Sequence, residues 1–136
     1  MAFHAKDSFD DVEKNRLILK STYGLPSNPV WLNQIHSSKC VNASLIQSIV
    51  DADASFTRDL GVVCAILTAD CLPVFMCKRD GSMVGVAHAG WRGLISGVIE
   101  NLIHSFNISG DDLVAHLGPA ISMSSFEVGK EIQDIY

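Results

Sequence analysis

The sequence predicts an α+β fold, a single domain in which mixed β-sheets are flanked by helices. Apolar residues make up 48% of the 136 residues and charged residues only 18%, a balance that suits one buried core. Apolar runs typical of buried strands alternate along the chain with segments of helical periodicity. Asp80-Gly81 separates two strand-like stretches, and this dipeptide is a strong signal for an antiparallel hairpin.

The first half of the chain is predicted to begin with a helix and to continue in short strands. The helix is expected over residues 7–20, because an N-cap residue, Asp7 or Ser8, precedes an acidic first turn and a Gly-Leu-Pro stop follows. Three strand-like stretches come next, at residues 29–34, 39–43 and 62–68. The last is a continuous apolar run, as expected of a strand covered on both faces.

The second half is predicted to contain a hairpin, a helix, a strand and a final helix. The hairpin spans residues 72–89. Apolar residues recur at helical spacing over 94–106, which predicts an amphipathic helix of about four turns. A buried strand is expected over 113–117, where Gly118-Pro119 ends it, and a helix over 127–135.

The charge pattern indicates small-molecule partners. The formal charge is -5 with no run of Lys or Arg, which argues against nucleic-acid and anionic-membrane partners. No apolar stretch approaches the roughly 20 residues of a membrane span, and the first ten residues lack a signal-peptide pattern. We therefore expect a cytoplasmic monomer or homodimer with four reduced cysteines, of which Cys64 and Cys77 are small core residues.

The hairpin is predicted to bring a cysteine close to a histidine. If the Asp-Gly dipeptide forms a two-residue loop, Cys71 lies opposite Gly90 and His88 lies opposite Pro73. Cys71 and His88 are then diagonal neighbours on one face, about 7–8 Å apart between backbones, within reach of one metal ion or of each other. The alternative, that both are ordinary core or strand-edge residues, stays open on spacing alone.

Spacing does not identify a third metal ligand. His36 follows a short strand and opens a turn, but His4, His104 and His116 compete equally on composition. We expect His104 to pair with Glu100 one helical turn away. His116 is expected to be a hydrogen-bonded core histidine, and His4 to belong to the terminus.

Polar residues flank the open end of the hairpin. The Gly-Trp-Arg-Gly segment at 90–93 leads into a helix, so backbone N–H groups and the Arg92 guanidinium can converge on an anion such as phosphate. A plain turn with a solvated Arg92 is the equally supported alternative.

Acidic residues are also candidates for the site. Asp70 beside the cysteine can orient a ligand or a substrate amine, or cap the strand end. Asp51 and Asp53 belong to a polar cluster of unassigned use.

Several sequence blocks together resemble the YfiH family. They lie at residues 34–36, 51–54 with Thr57, 68–74, 87–93, and 117–121 with 126–129. Ala-Asp-Cys-Leu-Pro-Val at 69–74 and His-Ala-Gly-Trp-Arg-Gly at 88–93, in this order and separation, are the family's signature. The resemblance implies a YfiH-like (cysteine-hydrolase-like) fold and a site of two histidines and one cysteine for zinc or copper. By motif, those ligands are His36, Cys71 and His88.

The chain departs from the family pattern in two ways. Ser37 stands where family members usually have Gly after the first histidine. The Arg/Gly-rich segment before the first helix and the basic-aromatic C-terminal segment of the family have no counterpart within 1–136. We therefore expect residues 1–136 to be a single YfiH-like domain that lacks both family flanks.

The resemblance also implies an activity. Family members are described as purine nucleoside phosphorylases with adenosine deaminase activity, or as polyphenol oxidases (laccase domain proteins). Three N and S ligands with an open fourth position suit catalytic zinc. We expect zinc-dependent phosphorolysis of adenosine, inosine or methylthioadenosine to base and ribose 1-phosphate, with adenosine deamination, through Cys71, His88, Arg92 and Asp70. The alternatives are copper-dependent phenol oxidation, a metal-free Cys71–His88 hydrolase and a non-catalytic metal-binding domain.

Overall fold

A computed structural model describes residues 1–3, 7–133 and 135, and His4 lies outside these residues. The strands of this part of the chain form one sheet in the order β1-β2-β4-β3-β5. They are β1 (Cys40–Asn42), β2 (Ala54–Thr57), β3 (Leu72–Lys78), β4 (Val84–Ala89) and β5 (Leu113–Leu117). The β1–β2 pair is parallel and the other pairs are antiparallel, so the predicted α+β class with a mixed sheet is confirmed.

The α-helices within the described residues are α1 (Phe9–Thr22), α2 (Trp91–Ile95), α3 (Val98–Phe106) and α4 (Lys130–Gln133), and Ala43–Leu45 and Gly110–Asp112 form 3-10 helices. The prediction of a helix near the start is confirmed, because the Ser8 hydroxyl caps α1 by accepting the Asp11 N–H at 3.1 Å. Among these described helices, none combines the length and the apolar composition that a membrane span requires.

The core lies between α3 and one face of the sheet. Leu102 and Phe106 of α3 are fully buried against β4 and β2. Gly85 of β4 permits this approach, since a Cβ there would lie 2.9 Å from Leu102 Cδ1 and 3.0 Å from Phe106 Cε2. The helix therefore rests directly on the strand that carries His88.

The predicted register of the hairpin is confirmed. Pro73 lies opposite His88, and Leu72 lies opposite Ala89. The connection is longer than the two-residue loop we expected: Lys78 N–H donates to the Met83 carbonyl at 2.9 Å and closes a four-residue loop. Gly81 adopts a φ of 74° there, a conformation that favours glycine.

The structure differs from the prediction at one helix and one strand. The helix expected over 94–106 is broken into α2 and α3 at Gly97, whose φ of 88° is left-handed and interrupts the helical backbone. The run over 62–68 forms no strand apart from an isolated bridge between Cys64 and Val30. A side chain takes the place of a neighbouring strand at Leu67. The Gln34 amide N–H donates to the Leu67 carbonyl, and the Gln34 side-chain oxygen accepts the Leu67 N–H, at 2.7 Å each.

The remaining strand predictions were partly correct. Of residues 29–34, only Val30 and Asn33 form isolated bridges. The stretch at 39–43 contains β1, whereas β2 was not predicted because its residues lie in a polar segment. Strand β5 was expected to be buried, but it is an edge strand with mostly exposed residues.

Candidate metal centre

Three side chains from distant parts of the chain converge at one end of the hairpin. His36 comes from the loop before β1, Cys71 immediately precedes β3, and His88 lies in β4. One potential ligand atom from each residue lies within 4.8 Å of the others. Cys71 Sγ is 3.9 Å from His36 Nε2, and the two imidazole rings meet edge to face with centroids 4.8 Å apart.

The hairpin register accounts for two of these positions. Cys71 is the residue before the first pair of the β3–β4 ladder, so it faces Gly90 on the other side. A Cβ at Gly90 would lie 2.9 Å from Cys71 Sγ and 2.9 Å from His36 Cδ2. Glycine at this position therefore leaves the space in which the sulfur and the imidazole approach each other.

His36 is held in an unusual backbone conformation by a buried carboxylate. Its φ is 60°, in the left-handed region that non-glycine residues rarely adopt. The Asp53 carboxylate accepts hydrogen bonds from the backbone N–H groups of Ile35 (3.2 Å), His36 (3.0 Å) and Ser37 (2.6 Å). The Ser37 hydroxyl donates to the same carboxylate at 2.8 Å.

The same carboxylate orients the second histidine. Asp53 Oδ1 lies 2.9 Å from His88 Nδ1, and both side chains are buried. Burial alone raises the pKa of Asp53, but the hydrogen bonds from His88, Ser37 and Ile35 outweigh it and lower that pKa to about 2. The ionised carboxylate can only accept hydrogen bonds, so it favours a proton on His88 Nδ1. In the neutral imidazole, Nε2 then has the lone pair that a metal ion needs.

Cys71 differs from the two histidines because its thiol must lose a proton to bind a metal ion. Burial, together with the carboxylates of Asp70 and Asp53, raises the pKa of Cys71. A divalent metal ion reverses this preference, because a coordinating thiol loses its proton. The Cys71 thiolate and the Asp53 carboxylate would then balance the charge of the ion. The donor set of two imidazoles and one sulfur fits zinc and also copper.

A mainly apolar pocket of about 280 Å³ opens beside Cys71. Trp91, Leu94 and Phe126 contribute to its walls, and Asp70 lies at its edge. The Arg92 guanidinium stacks over the Trp91 ring at 4.1 Å, on the helix that follows Gly90. An apolar pocket with a few polar groups next to reactive side chains is typical of a small-molecule site.

The other candidate residues lie elsewhere. His104 is exposed on α3, and no ion pair joins it to Glu100 in the part of the chain that the structure describes, so the predicted pairing was wrong. His116 is exposed on β5 near the Phe75 ring, so the expected core role was also wrong. Cys64 and Cys77 are half-buried free thiols.

Sequence reasoning missed the position of Asp53. The residue was grouped with Asp51 in a polar cluster, yet Asp51 is exposed and Asp53 is fully buried. The alternation of Asp51-Ala52-Asp53-Ala54 beside a short strand was a usable signal. An acid flanked by alanines that are themselves buried must find several hydrogen-bond donors.

Comparison with known proteins relates the whole chain to one family model. Residues 1–136 match the family described as multi-copper polyphenol oxidoreductase laccase. Purine nucleoside phosphorylase YfiH of Escherichia coli strain K12 is 44% identical over 134 residues, which are 98% of this chain and 55% of that protein. Purine nucleoside phosphorylase PA4543 of Pseudomonas aeruginosa is 45% identical over 133 residues, 98% of this chain and 54% of that protein.

Solved structures show the same fold. Neisseria meningitidis protein NMB0706 superposes with a TM-score of 0.92 at 45% identity, over 98% of this chain and 55% of that one. YlmD from Geobacillus stearothermophilus superposes with a TM-score of 0.87 at 26% identity, over 99% of this chain and 56% of that one. The chain thus spans about half the length of the curated relatives and solved structures that it matches.

Proposed function

We propose that this chain, which belongs to the multi-copper polyphenol oxidoreductase laccase family, binds zinc through His36, Cys71 and His88 and acts on purine nucleosides. The resemblance to the YfiH family is confirmed by a relative of that name. The observation that carries the proposal is the convergence of three ligand atoms within 4.8 Å of one another. A zinc ion held by them would supply Lewis acidity that activates a water molecule or a substrate atom.

The proposed reaction is the cleavage of a purine nucleoside by phosphate. A phosphate oxygen bonds to the ribose anomeric carbon, the bond from that carbon to the purine nitrogen breaks, and the departing base takes up a proton. Two relatives are named for this activity, and both are about twice as long as this chain. Adenosine deamination, in which water replaces the 6-amino group, is proposed as a second reaction of the same site.

Residues around the pocket have distinct proposed roles. The apolar walls at Trp91 and Phe126 suit a planar purine. The Arg92 guanidinium offers positive charge for phosphate, and Asp70 offers a carboxylate that can accept a hydrogen bond from an amino group. Residues 1–136 are proposed to form a single domain that carries the metal ligands, with substrate binding completed by segments that the longer relatives contain.

Two alternatives are less well supported. Copper-dependent phenol oxidation is suggested by the description of the family. The four-electron reduction of oxygen needs several coppers, whereas the described residues bring together a single potential metal-binding group, that of His36, Cys71 and His88. A metal-free Cys71 nucleophile is disfavoured because its raised pKa keeps the thiol protonated.

Metal content and product analysis test the proposal together. We expect about one zinc per chain by native mass spectrometry and elemental analysis, and its loss in Cys71→Ser and His36→Ala. Cys77→Ser, in the same hairpin but outside the site, is the matched control and should keep zinc. A longer protein that includes the family flanks should convert adenosine and phosphate to adenine and ribose 1-phosphate.

Three outcomes would count against the proposal. A zinc-free wild-type chain, or zinc binding that survives His36→Ala, would reject the ligand set. Zinc binding without ribose 1-phosphate or inosine formation by the longer protein would reject the nucleoside reaction. Copper loading with an electron paramagnetic resonance signal and phenol oxidation would favour the oxidase instead.

A further inference from the structure

One buried carboxylate contacts both histidine segments of the candidate metal centre. Asp53 Oδ1 accepts from the His36 N–H at 3.0 Å and from His88 Nδ1 at 2.9 Å. Asp53 Oδ2 accepts from the Ile35 N–H, the Ser37 N–H and the Ser37 hydroxyl. Five donors from segments 16 to 35 residues away thus converge on one side chain.

The main chain of Asp53 ties the same segments together. Its N–H donates to the Lys39 carbonyl at 3.0 Å, and its carbonyl accepts the His88 N–H at 2.7 Å. The side chain is completely buried. Because a buried carboxylate is costly unless its lone pairs are satisfied, the two histidine segments are confined to positions that satisfy it.

We propose that Asp53 is the positioning residue of this site. Its carboxylate holds His36 in the left-handed conformation and holds the His88 ring as the Nδ1–H tautomer, so that the lone pair of His88 Nε2 is directed to the position shared with Cys71 and His36. The inference rests on the proposed metal site, but its effect on the tautomer exists without metal. Asp53 touches no substrate and acts through the two histidines.

Asp53→Asn tests this role because the shape of the side chain is nearly unchanged. Three donors converge on Oδ2, so the single oxygen of the substituted amide is expected to remain on that side. The amide NH₂ group then replaces the oxygen that bound two groups: the His36 N–H loses its acceptor, and His88 Nδ1 can only accept from the amide. The imidazole proton moves to Nε2, and the lone pair needed by the metal is lost.

The tautomer is measured in the metal-free chain by long-range ¹H–¹⁵N correlation of the imidazole, at about pH 8, above the ordinary His pKa of about 6.5. We expect His88 as Nδ1–H in the wild type and as Nε2–H in Asp53→Asn. The zinc Kd, from competition with a chromophoric chelator, should rise about 10- to 100-fold in the variant. A purely structural role of Asp53 would change the melting temperature without changing the tautomer.

Asp51→Asn is the matched control. Asp51 lies two residues before Asp53, is exposed, and has its carboxylate bound by Asn33 Nδ2 at 2.6 Å. This variant removes one nearby negative charge and no contact with either histidine. The tautomer should stay Nδ1–H and the zinc Kd should change less than about twofold.

Each outcome decides the inference. A wild-type His88 that carries its proton on Nε2, or an Asp53→Asn variant with wild-type tautomer and Kd, would overturn it.

If Asp53→Asn does not fold, a second variant tests the same role. Ser37→Ala removes one hydrogen bond to Oδ2 and none to Oδ1, and should raise the zinc Kd about fivefold with the tautomer unchanged. An unchanged Kd would overturn the role of Asp53 in holding the His36 loop. If the wild type binds no zinc, the proposed function fails, and the tautomer measurement alone decides the role of Asp53.

Discussion

At the scale of single residues, Gly90 determines how closely two of the candidate ligands approach each other. The imidazole of His36 and the sulfur of Cys71 flank Gly90, and both lie where a Cβ at that position would need space. The φ of Gly90 is −69°, so the backbone conformation would accept other residues. The requirement for glycine is therefore one of volume, not of backbone conformation.

We predict that Gly90→Ala weakens zinc binding about tenfold while the chain stays folded. The added methyl group would lie 2.9 Å from atoms of both Cys71 and His36, so the two ligands must move apart. Gly110→Ala is the control, since a Cβ there meets nothing within 4 Å. Zinc titration of both variants measures the effect. Equal affinities in Gly90→Ala and the wild type would contradict this account of the glycine.

At the scale of elements, α3 and the hairpin form the support of the site. Leu102 of α3 is fully buried and packs where Gly85 leaves space on β4. Its neighbour Ile103, turned about 100° around the helix axis, is 40% exposed. The strand that carries His88 is thus fixed from one face by helix packing and from both edges by strand pairing.

We predict that Leu102→Ala lowers the free energy of unfolding by about 3 kcal/mol, since it leaves a cavity against the sheet. Ile103→Ala removes a similar side chain from a half-exposed position and should cost less than about 1 kcal/mol. Urea denaturation of the two variants measures the difference. Similar losses in both would mean that α3 does not pack on the sheet through Leu102.

At the scale of the whole molecule, the proposed ion would link three segments that are far apart in sequence. His36 precedes β1, Cys71 precedes β3 and His88 lies in β4, so the three side chains come together in the folded sheet. An unfolded chain does not hold them together. Zinc is therefore expected to bind the native state preferentially and to stabilise it.

We predict that zinc raises the melting temperature of the wild-type chain by roughly 10 °C at a free concentration near 100 times Kd. Binding at that concentration adds about 2.7 kcal/mol, and a chain of this size gains a few degrees per kcal/mol. Cys71→Ser should show little change with zinc, whereas Cys77→Ser should respond like the wild type. Calorimetry with and without a chelator measures the shift, and an equal response of Cys71→Ser would reject Cys71 as a ligand.

Local signals in the sequence were sufficient to predict the hairpin and the α+β class. Asp80-Gly81 and the flanking strand pattern predicted the register that pairs Pro73 with His88, and this register brings Cys71 close to His88. Register can be read locally because neighbouring strands joined by a short turn have few alternative pairings. The resemblance of the motifs, rather than any spacing, indicated His36.

Only the tertiary structure decided what lies around that hairpin. It brought the His36 loop next to Cys71, buried Asp53 between the two histidines, ended α2 before Gly97 and left residues 62–68 without a strand. None of these features follows from periodicity. The helix break depends on the left-handed backbone of Gly97, and the others depend on contacts between segments many residues apart. A carboxylate such as Asp53 has a different role when exposed and when buried, and its burial is set by the packing of the whole chain.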